Sequence, residues 1–266
     1  MNIIVCIKQV PGITDVKINP ETNTLIREGI LNIINPFDLY AIEEALRLKE
    51  KFGGKVTVIS LGPPQSINAL KEAVGMGTDE AIQLSDRTFA GSDSWATAYT
   101  LALAIKKIGQ FDIVLCGKQA IDGDTGQVGP GIASQLGITQ LTYVFKIIKL
   151  ELQTGTIRVE RLLEEGREIV EAKLPVLLTV VKDINQPRSA TLSHMRRAAK
   201  LQIPTWTAAD LPGADLAKLG LKGSPTQVIK ISSPPKREGV LDLIKADSAE
   251  QSAAILADKI IEEKVL

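Results

Sequence analysis

The first two-thirds of the chain alternate short apolar runs with longer segments of helical periodicity. In the helical segments apolar side chains recur every three or four residues, most clearly between Trp95 and Ile108. The apolar runs have the length of β-strands and lie at residues 2–7, 55–61, 81–84 and 111–116. Strands that alternate with helices in this way are typical of a parallel sheet covered by helices. We therefore predict an α/β fold.

Turn and cap residues divide this pattern into elements. Asn35 followed by Pro36 predicts the start of a helix that ends at Gly53-Gly54. A small hairpin is predicted around Pro20-Glu21-Thr22-Asn23. Long strands are expected in the second half of the chain, two of them joined by a turn at Gln153-Thr154-Gly155.

The C-terminal part differs in composition from the rest. Residues 205–266 are punctuated by Pro and Gly and end in an amphipathic helix that carries Ala253, Leu256, Ala257 and Ile260. This stretch holds too little apolar sequence for a core of its own. We predict an α/β domain over residues 1–204, followed by an extension, 205–266, that packs across its own domain or onto a partner.

Composition and charge argue against several functions. Lys+Arg and Asp+Glu are equal at 31 each, which gives no basis for binding nucleic acid or an anionic membrane. The longest apolar runs, such as 176–181, are far shorter than the roughly 20 residues of a membrane-spanning helix. The N-terminus shows no signal or transit segment. With two cysteines inside apolar strands and His194 as the only histidine, neither a disulfide framework, a metal site nor histidine-based catalysis is expected. We expect a cytoplasmic protein without a membrane span.

One loop has the composition of a ligand-binding loop. It follows the apolar run 111–116 and precedes a helix predicted from about Gln127 to Leu136; its residues are Gly117, Lys118, Gln119, Ala120, Ile121, Asp122, Gly123, Asp124, Thr125, Gly126, Gln127 and Val128. Open parallel sheets bind ligands at such carboxyl strand ends. The glycines allow close approach of a ligand, and the free N–H groups of the following helix favour a diphosphate. Because the loop is neither a Walker A sequence nor a G-x-G-x-x-G fingerprint, a purely structural turn is the alternative at this point.

Two motifs are specific enough to compare with known families. The first is the start of this loop, Gly117 to Asp122. The second is Val159-Glu160-Arg161-Leu162-Leu163-Glu164-Glu165-Gly166-Arg167-Glu168-Ile169-Val170, followed after four residues by Pro175-Val176-Leu177-Leu178-Thr179. Asn35-Pro36-Phe37 and the run from Asn185 to Leu192 agree as well. Together these motifs resemble, in order and over nearly the whole chain, the beta subunit of the electron-transferring flavoprotein family.

The resemblance implies a fold, a partner and a nucleotide site. Members of this family have a parallel, Rossmann-like α/β fold. They pair with an alpha subunit that holds an electron-carrying FAD. The C-terminal extension is expected to wrap this alpha subunit. Their own site, similar to that of adenine-nucleotide-binding proteins, holds either AMP or a second FAD. By position, that site is expected to be lined by the loop 117–128 together with Cys6, Asn35, Phe37, Asp38 and Leu61.

The second half of the loop favours FAD over AMP. The run from Asp122 to Pro130 resembles the electron-bifurcating branch of the family, as do Val10-Pro11 and the segment 223–228, which adds Thr226 to the expected site. Gly123 in place of a carboxylate opens space and removes negative charge where a diphosphate extends toward a flavin. The resemblance then implies NADH as electron donor. One electron would pass to the alpha-subunit FAD and an acyl-CoA dehydrogenase-like enzyme, the other to a low-potential acceptor such as ferredoxin. AMP as a structural nucleotide is the alternative.

A basic segment with apolar points, residues 183–200, is the predicted partner-recognition loop, with a short helix at Met195–Lys200. In the family, the matching segment docks the acyl-CoA dehydrogenase through a leucine anchor that matches Leu192. An apolar anchor ringed by charges suits a transient docking site. We expect His194 to be an exposed contact residue there. The residues expected to bind the partner are Arg188, Leu192, Met195 and Arg196.

Two other functions are compatible with the loop alone. A stand-alone adenine-nucleotide-binding protein of the stress-protein kind would carry the same loop after a strand, but as a homo-oligomer without flavin. An adenylating or phosphate-transferring enzyme would need a Ser/Gly phosphate loop and clustered metal-binding carboxylates, for which Asp122 and Asp124 do not suffice. Whether the chain is itself an enzyme or an electron-carrier subunit stays open at the level of the sequence.

Overall fold

A computed structural model describes residues 1–12, 32–229 and 241–263. The hairpin predicted around Pro20-Glu21-Thr22-Asn23 lies outside the described residues. The chain divides into a first unit, Met1–Ile229, and a second, Lys230–Leu266. The candidate site lies in the first unit.

A nine-stranded sheet forms the centre of the first unit. Its strands are β1 (Asn2–Cys6), β4 (Lys55–Leu61), β5 (Glu80–Leu84), β6 (Ile113–Gly117), β7 (Thr139–Glu151), β8 (Thr156–Leu163), β9 (Gly166–Lys173), β10 (Val176–Val180) and β11 (Thr205–Trp206). The two remaining strands, β2 (Gln9–Pro11) and β3 (Asn32–Ile34), pair with each other. In space the order is β11-β5-β4-β1-β6-β10-β7-β8-β9. Strands from β11 to β7 are parallel, whereas β8 and β9 are antiparallel additions. The predicted mostly parallel α/β fold is confirmed.

Helices cover both faces of the sheet. The first unit contains α1 (Pro36–Phe52), α2 (Ile67–Met76), α3 (Ser94–Ile108), α4 (Val128–Leu136), α5 (Leu192–Lys200) and α6 (Gly220–Gly223), and the second contains α7 (Ala249–Glu262). Apolar residues of α1 and α2 pack with Ile3 and Val5 on one face. Those of α3 and α4 pack with Ile4 and Cys6 on the other. Successive residues of β1 therefore serve opposite layers, as the pleat of a doubly covered strand requires.

The chain reverses its progress across the sheet beside β1. After β1 it passes through α1 to β4 and β5 on one side, and after α3 it returns to β6 on the other side of β1. Consequently α1 and α4, which follow β1 and β6, lie on opposite faces. Open α/β sheets bind ligands in the crevice at such a switch point, beyond the carboxyl strand ends. Cys6, Leu61 and Gly117 are the residues that end β1, β4 and β6.

The C-terminal part of the first unit includes the start of the predicted extension. Strand β11 pairs with β5, and Leu211 and Leu219 are buried against the α3 and α4 layer. Residues 205–229 thus pack across the α/β domain, one of the two arrangements expected for the extension, and the boundary after residue 204 stays a prediction. In the second unit, α7 is the predicted terminal helix, and the Ser248 hydroxyl caps it by accepting the Gln251 N–H at 3.2 Å.

No helix among the described residues is long and apolar enough to cross a lipid bilayer.

Candidate functional site

Asn35, the residue before α1, holds the β6–α4 loop (residues 118–127) through both ends of its amide. Its side-chain nitrogen donates to the carbonyl oxygen of Gln119 at 2.8 Å, and its side-chain oxygen accepts the backbone N–H of Ile121 at 3.2 Å. Asn35 is only 1% exposed, so both polar groups need partners inside the protein. The residue predicted to line a ligand site thus fixes the shape of the loop instead of presenting a free amide.

Asp38, in the first turn of α1, joins the ends of the two central strands. One carboxylate oxygen accepts the backbone N–H of Lys8 at 2.7 Å, and the other accepts that of Gly117 at 3.1 Å. Burial raises the pKa of Asp38 to about 7, although these hydrogen bonds act in the opposite direction. A Cβ atom on Gly117 would overlap Asp38 and Phe37, so only glycine permits this close approach of β6 to α1.

The carboxylates of the β6–α4 loop are paired with neighbouring side chains. Lys8 Nζ lies 2.6 Å from Asp122 Oδ1, and Gln119 Nε2 donates to Asp124 Oδ1 at 2.7 Å. Pairing lowers the repulsion that two free carboxylates would exert on a phosphate. Lys8 was missed by the sequence analysis, although it lies two residues beyond the end of β1, at the edge where ligand-binding loops of a parallel sheet converge.

The turn of the loop contains two residues in the left-handed region, Asp124 (φ 50°) and Gly126 (φ 62°). Aspartate tolerates this conformation better than most residues. Gly123 is different, because its φ lies outside that region and a Cβ atom there would meet no atom of the described residues within 4 Å. Neither the backbone nor the packing of the described part of the chain therefore requires glycine at position 123. The surface above Gly123 is open to a ligand.

Helix α4 begins directly after this loop. Its N-cap residue Gln127 makes no side-chain cap bond within the described chain, so the first N–H groups of the helix are available for a ligand. Gly129 brings the helix close to β10, since a Cβ atom there would lie 2.6 Å from Thr179 Cγ2. Uncapped N–H groups and the helix dipole favour an anion, and this arrangement suits the phosphates of a nucleotide.

The start of α3 lies beside the loop and ties Thr226 to it. The Ser94 hydroxyl donates to Thr125 Oγ1 at 3.2 Å. Asp93 caps α3 with one carboxylate oxygen, while the other accepts the N–H of Thr226 at 3.0 Å and its hydroxyl at 2.8 Å. Burial alone would raise the pKa of Asp93, but these hydrogen bonds outweigh burial and lower it. The contact of Asp93 with Thr226, 133 residues away, left no local pattern in the sequence.

The two cysteines are neighbours on adjacent strands. Cys6 of β1 is in register with Cys116 of β6, and both are buried on the α3 and α4 face. The hydrogen bond with Cys6, followed by burial, raises the pKa of the Cys116 thiol. The Cys116 thiol therefore stays protonated at neutral pH, and both cysteines pack as small apolar groups.

The structure brings the predicted cofactor residues together at one edge of the sheet. Cys6, Leu61 and Gly117 end their strands there, and Asn35, Phe37 and Asp38 start α1 at the same edge. The loop from Lys118 to Val128 completes the set, with Thr226 attached through Asp93. Contact between these residues and a nucleotide stays a prediction.

The predicted partner-recognition segment is fastened to α1. The guanidinium of Arg188 donates to both carboxylate oxygens of Glu43, at 2.8 and 3.1 Å, and also pairs with Glu50. Asn185 donates to Glu44 Oε2 at 3.0 Å. Burial of Glu43 would raise its pKa, but the hydrogen bonds from Arg188 and Arg47 lower it. Arg188, expected to bind a partner, therefore uses its charged group within the chain.

Helix α5 presents the exposed side of the same segment. Leu192 is 66% and Met195 54% exposed, and Arg196 is exposed beside them. The helix begins at Leu192, three residues earlier than predicted, because the Thr191 hydroxyl accepts the N–H of His194 at 3.3 Å. The expectation of an exposed His194 is wrong, since its ring is half-buried against Gly77 at the end of α2.

Fold and site together define an α/β protein with a loop suited to anion binding at the switch point of a parallel sheet. Comparison with known proteins identifies the family: the electron transfer flavoprotein domain matches residues 22–211. An electron transfer flavoprotein subunit beta of Clostridium acetobutylicum is 50% identical over 263 residues, 99% of each chain. One of Megasphaera elsdenii is 49% identical over 272 residues, 100% of this chain and 98% of the relative. Protein FixA of Bradyrhizobium diazoefficiens is 46% identical over 264 residues, 98% and 91% of the two chains.

The chain belongs to the electron transfer flavoprotein family, and this membership supports a role in electron transfer.

Proposed function

We propose that this chain is the beta subunit of a heterodimeric electron transfer flavoprotein and binds FAD on the β6–α4 loop. The names of the Clostridium and Megasphaera relatives, which align over almost their full length, support the subunit assignment. The observation that carries the FAD assignment is Gly123, whose missing side chain is not explained by packing against the described residues.

The residues present fit a dinucleotide diphosphate. The uncapped start of α4 offers N–H groups, and the exposed Thr125 adds a hydroxyl beside them. Lys8 and Gln119 hold the carboxylates of Asp122 and Asp124, which would otherwise oppose a phosphate. Bound FAD would supply the hydride-accepting and electron-releasing chemistry, with NADH as donor. The share of this chain is to hold the diphosphate, keep the loop in shape and orient the cofactor.

AMP is the alternative ligand. The same N–H groups would hold a single phosphate, so the loop alone does not discriminate. Gly123 favours the longer ligand, since open space beyond the first phosphate serves only a molecule that continues there. In the AMP case the chain would hold a structural nucleotide with no redox cofactor of its own.

The proposal extends to partners. Electrons would pass to the FAD of an alpha subunit and then to an acyl-CoA dehydrogenase-like enzyme docked on α5. The C-terminal extension would wrap the alpha subunit. The exposed Leu192 and Met195 support such a docking site. A low-potential acceptor such as ferredoxin would take the second electron of a bifurcating pair. The two free, buried cysteines support the reducing cytoplasm as the site of action.

Co-expression with the alpha subunit, nucleotide counting and anaerobic titration with NADH test the proposal. We expect two flavins per heterodimer, no bound AMP, and bleaching of the flavin absorbance by NADH. One flavin with one AMP per heterodimer would establish the alternative. A homo-oligomer without flavin colour would contradict both.

A further inference from the structure

A tyrosine in an unfavourable backbone conformation lies at the edge of the sheet next to the β6–α4 loop. Tyr143 of β7 has φ of 57°, in the left-handed region that side chains other than Gly, Asn and Asp rarely adopt. Its side chain is 39% exposed, so burial of the ring does not explain why a tyrosine occupies this position. Such strained residues persist where the surroundings hold them, and they concentrate at binding sites.

Two neighbouring strands hold this conformation in place. The Tyr143 N–H donates to Thr179 Oγ1 at 3.1 Å, in β10. The guanidinium of Arg161, in β8, donates to the carbonyl oxygen of Thr142 at 2.8 Å and to its hydroxyl at 2.9 Å. Strand β7 is therefore fixed on both sides of the strained residue. The backbone at Tyr143 is therefore held by bonds from β10 and β8.

Lys118 connects this ring to the candidate nucleotide site. Its ammonium lies 5.2 Å from the centroid of the Tyr143 ring, within the range of a cation–π contact. Its backbone N–H donates to Val180 O at 2.9 Å, which places Lys118 at the exit of β6. The exposed ring thus adjoins Lys118, the first residue of the β6–α4 loop.

We propose that Tyr143 and Lys118 form the subsite for the flat heteroaromatic ring at the far end of a bound dinucleotide. Under the proposed function, on which this inference rests, that ring is the isoalloxazine of FAD. The tyrosine supplies a surface on which the isoalloxazine stacks, and the Lys118 ammonium faces electron-rich atoms of the isoalloxazine. AMP ends before this ring and does not use the subsite.

Two substitutions distinguish the contribution of the Tyr143 ring to FAD binding from that of the backbone conformation. Tyr143→Gly removes the ring and suits the positive φ, so the variant keeps or gains stability. Tyr143→Phe keeps the ring and removes only the hydroxyl. The nucleotide-depleted heterodimer is titrated by calorimetry with AMP, and with FAD in the presence and absence of excess AMP. The part of FAD binding that AMP abolishes reports the site on the β6–α4 loop.

For this AMP-sensitive binding we expect the Kd of FAD to rise about tenfold in Tyr143→Gly and to stay unchanged in Tyr143→Phe. The Kd of AMP should be the same in all three proteins. Equal FAD affinity in the unsubstituted protein and Tyr143→Gly overturns the subsite and leaves the proposed function intact. A parallel loss of AMP affinity also overturns it, because the residue would then act only on loop structure. If the unsubstituted protein binds AMP and no AMP-sensitive FAD, the subsite and the FAD assignment fall together.

Discussion

The carboxylate of Asp38 accepts the backbone N–H of Gly117 at 3.1 Å and so ties the first turn of α1 to the last residue of β6. Its second oxygen holds Lys8 just beyond β1. A single buried side chain therefore sets the spacing of the two strand ends that border the crevice. Because the carboxyl group is buried, its protonation state affects the stability of this arrangement.

The stability of the protein should depend on pH through Asp38. Its pKa rises from 3.8 in the unfolded chain to about 7 in the fold, so the folded state binds the proton more tightly. The free energy of unfolding should fall as pH rises through this interval, by something of the order of 2 kcal/mol between pH 5 and pH 8. Urea unfolding at the two pH values measures the change.

Asp38→Asn is the matched control, since asparagine does not titrate. Burial also raises the pKa of Glu44 and of Glu72, which contribute with the same sign in both proteins. The difference between the two proteins therefore isolates Asp38. An identical pH dependence in the Asn variant would show that Asp38 is ionised across the whole interval.

Two glycines of the site should respond differently to alanine. Gly129→Ala places a methyl group 2.6 Å from Thr179 Cγ2 and should cost about 1–3 kcal/mol of stability. The methyl group of Gly123→Ala meets no atom of residues 1–12, 32–229 or 241–263 and should leave the melting temperature unchanged. Its methyl group narrows the open surface above the loop, so the Kd of FAD should rise about tenfold, equivalent to about 1.4 kcal/mol, without change for AMP.

Thr179→Ser supplies the control for the first glycine. It removes the methyl group that a new Cβ atom on residue 129 would meet and retains the hydroxyl that holds Tyr143. The double variant Gly129→Ala with Thr179→Ser should regain most of the lost melting temperature. Unchanged FAD affinity in Gly123→Ala would remove the main support for a ligand that extends beyond the first phosphate.

Local patterns predicted the parts of the site whose partners are close in sequence. The apolar run ending at Cys116 and the glycine-rich loop after it correctly placed β6 and the start of α4. The pair of Lys8 and Asp122, 114 residues apart, left no local pattern because either side chain alone resembles an ordinary surface charge. Contacts of this kind depend on strand order, which periodicity does not specify.

Backbone conformation is a second feature that the sequence pattern did not predict. Tyr143 lies in a stretch of ordinary strand composition, and its positive φ arises from bonds to Thr179 and from Arg161 acting on Thr142. The start of α5 was placed too late because Leu192 was interpreted as part of a loop, although the Thr191 hydroxyl caps the helix. Both features follow from hydrogen bonds that the apolar pattern does not record.

Asp93 should have two separable effects. Asp93→Ala removes the cap of α3 and the bond to Thr226, and should cost about 1–2 kcal/mol. Asp93→Ser keeps a capping hydroxyl but has no second oxygen for Thr226, so its melting temperature should stay close to that of the unsubstituted protein. Hydrogen exchange of residues 224–229 should become faster in both variants. Slow exchange in Asp93→Ser would mean that other contacts hold this segment.

Docking of a dehydrogenase should depend on Leu192, whose side chain is 66% exposed. Leu192→Ala should raise the Kd for the acyl-CoA dehydrogenase-like partner by roughly tenfold, as expected for an apolar anchor, without changing nucleotide content or melting temperature. Surface plasmon resonance with the purified partner measures this. The comparison variant Arg188→Lys tests positioning, because lysine does not reproduce the forked contact with Glu43.

Arg188→Lys should speed hydrogen exchange in residues 185–200 and weaken docking while Leu192 is intact. If Leu192→Ala binds the partner as tightly as the unsubstituted protein, α5 is not the docking surface. If Arg188→Lys weakens docking and Leu192→Ala does not, the partner contacts another part of residues 185–200.

Helix α1 carries the supports of both functional regions on one rigid element: Asn35 and Asp38 face the β6–α4 loop, and Glu43 and Glu50 face Arg188. The recognition segment is therefore not a transferable module. A chimaera that receives residues 185–200 from a relative lacking Arg188 would leave Glu43, 3% exposed, with Arg47 as its one charged partner among the described residues, beside the backbone N–H of residue 188. To exchange partner specificity between members of the family, α1 must therefore be transplanted together with the segment. A change in the position of α1 would then also move the β6–α4 loop, because Asn35 holds that loop.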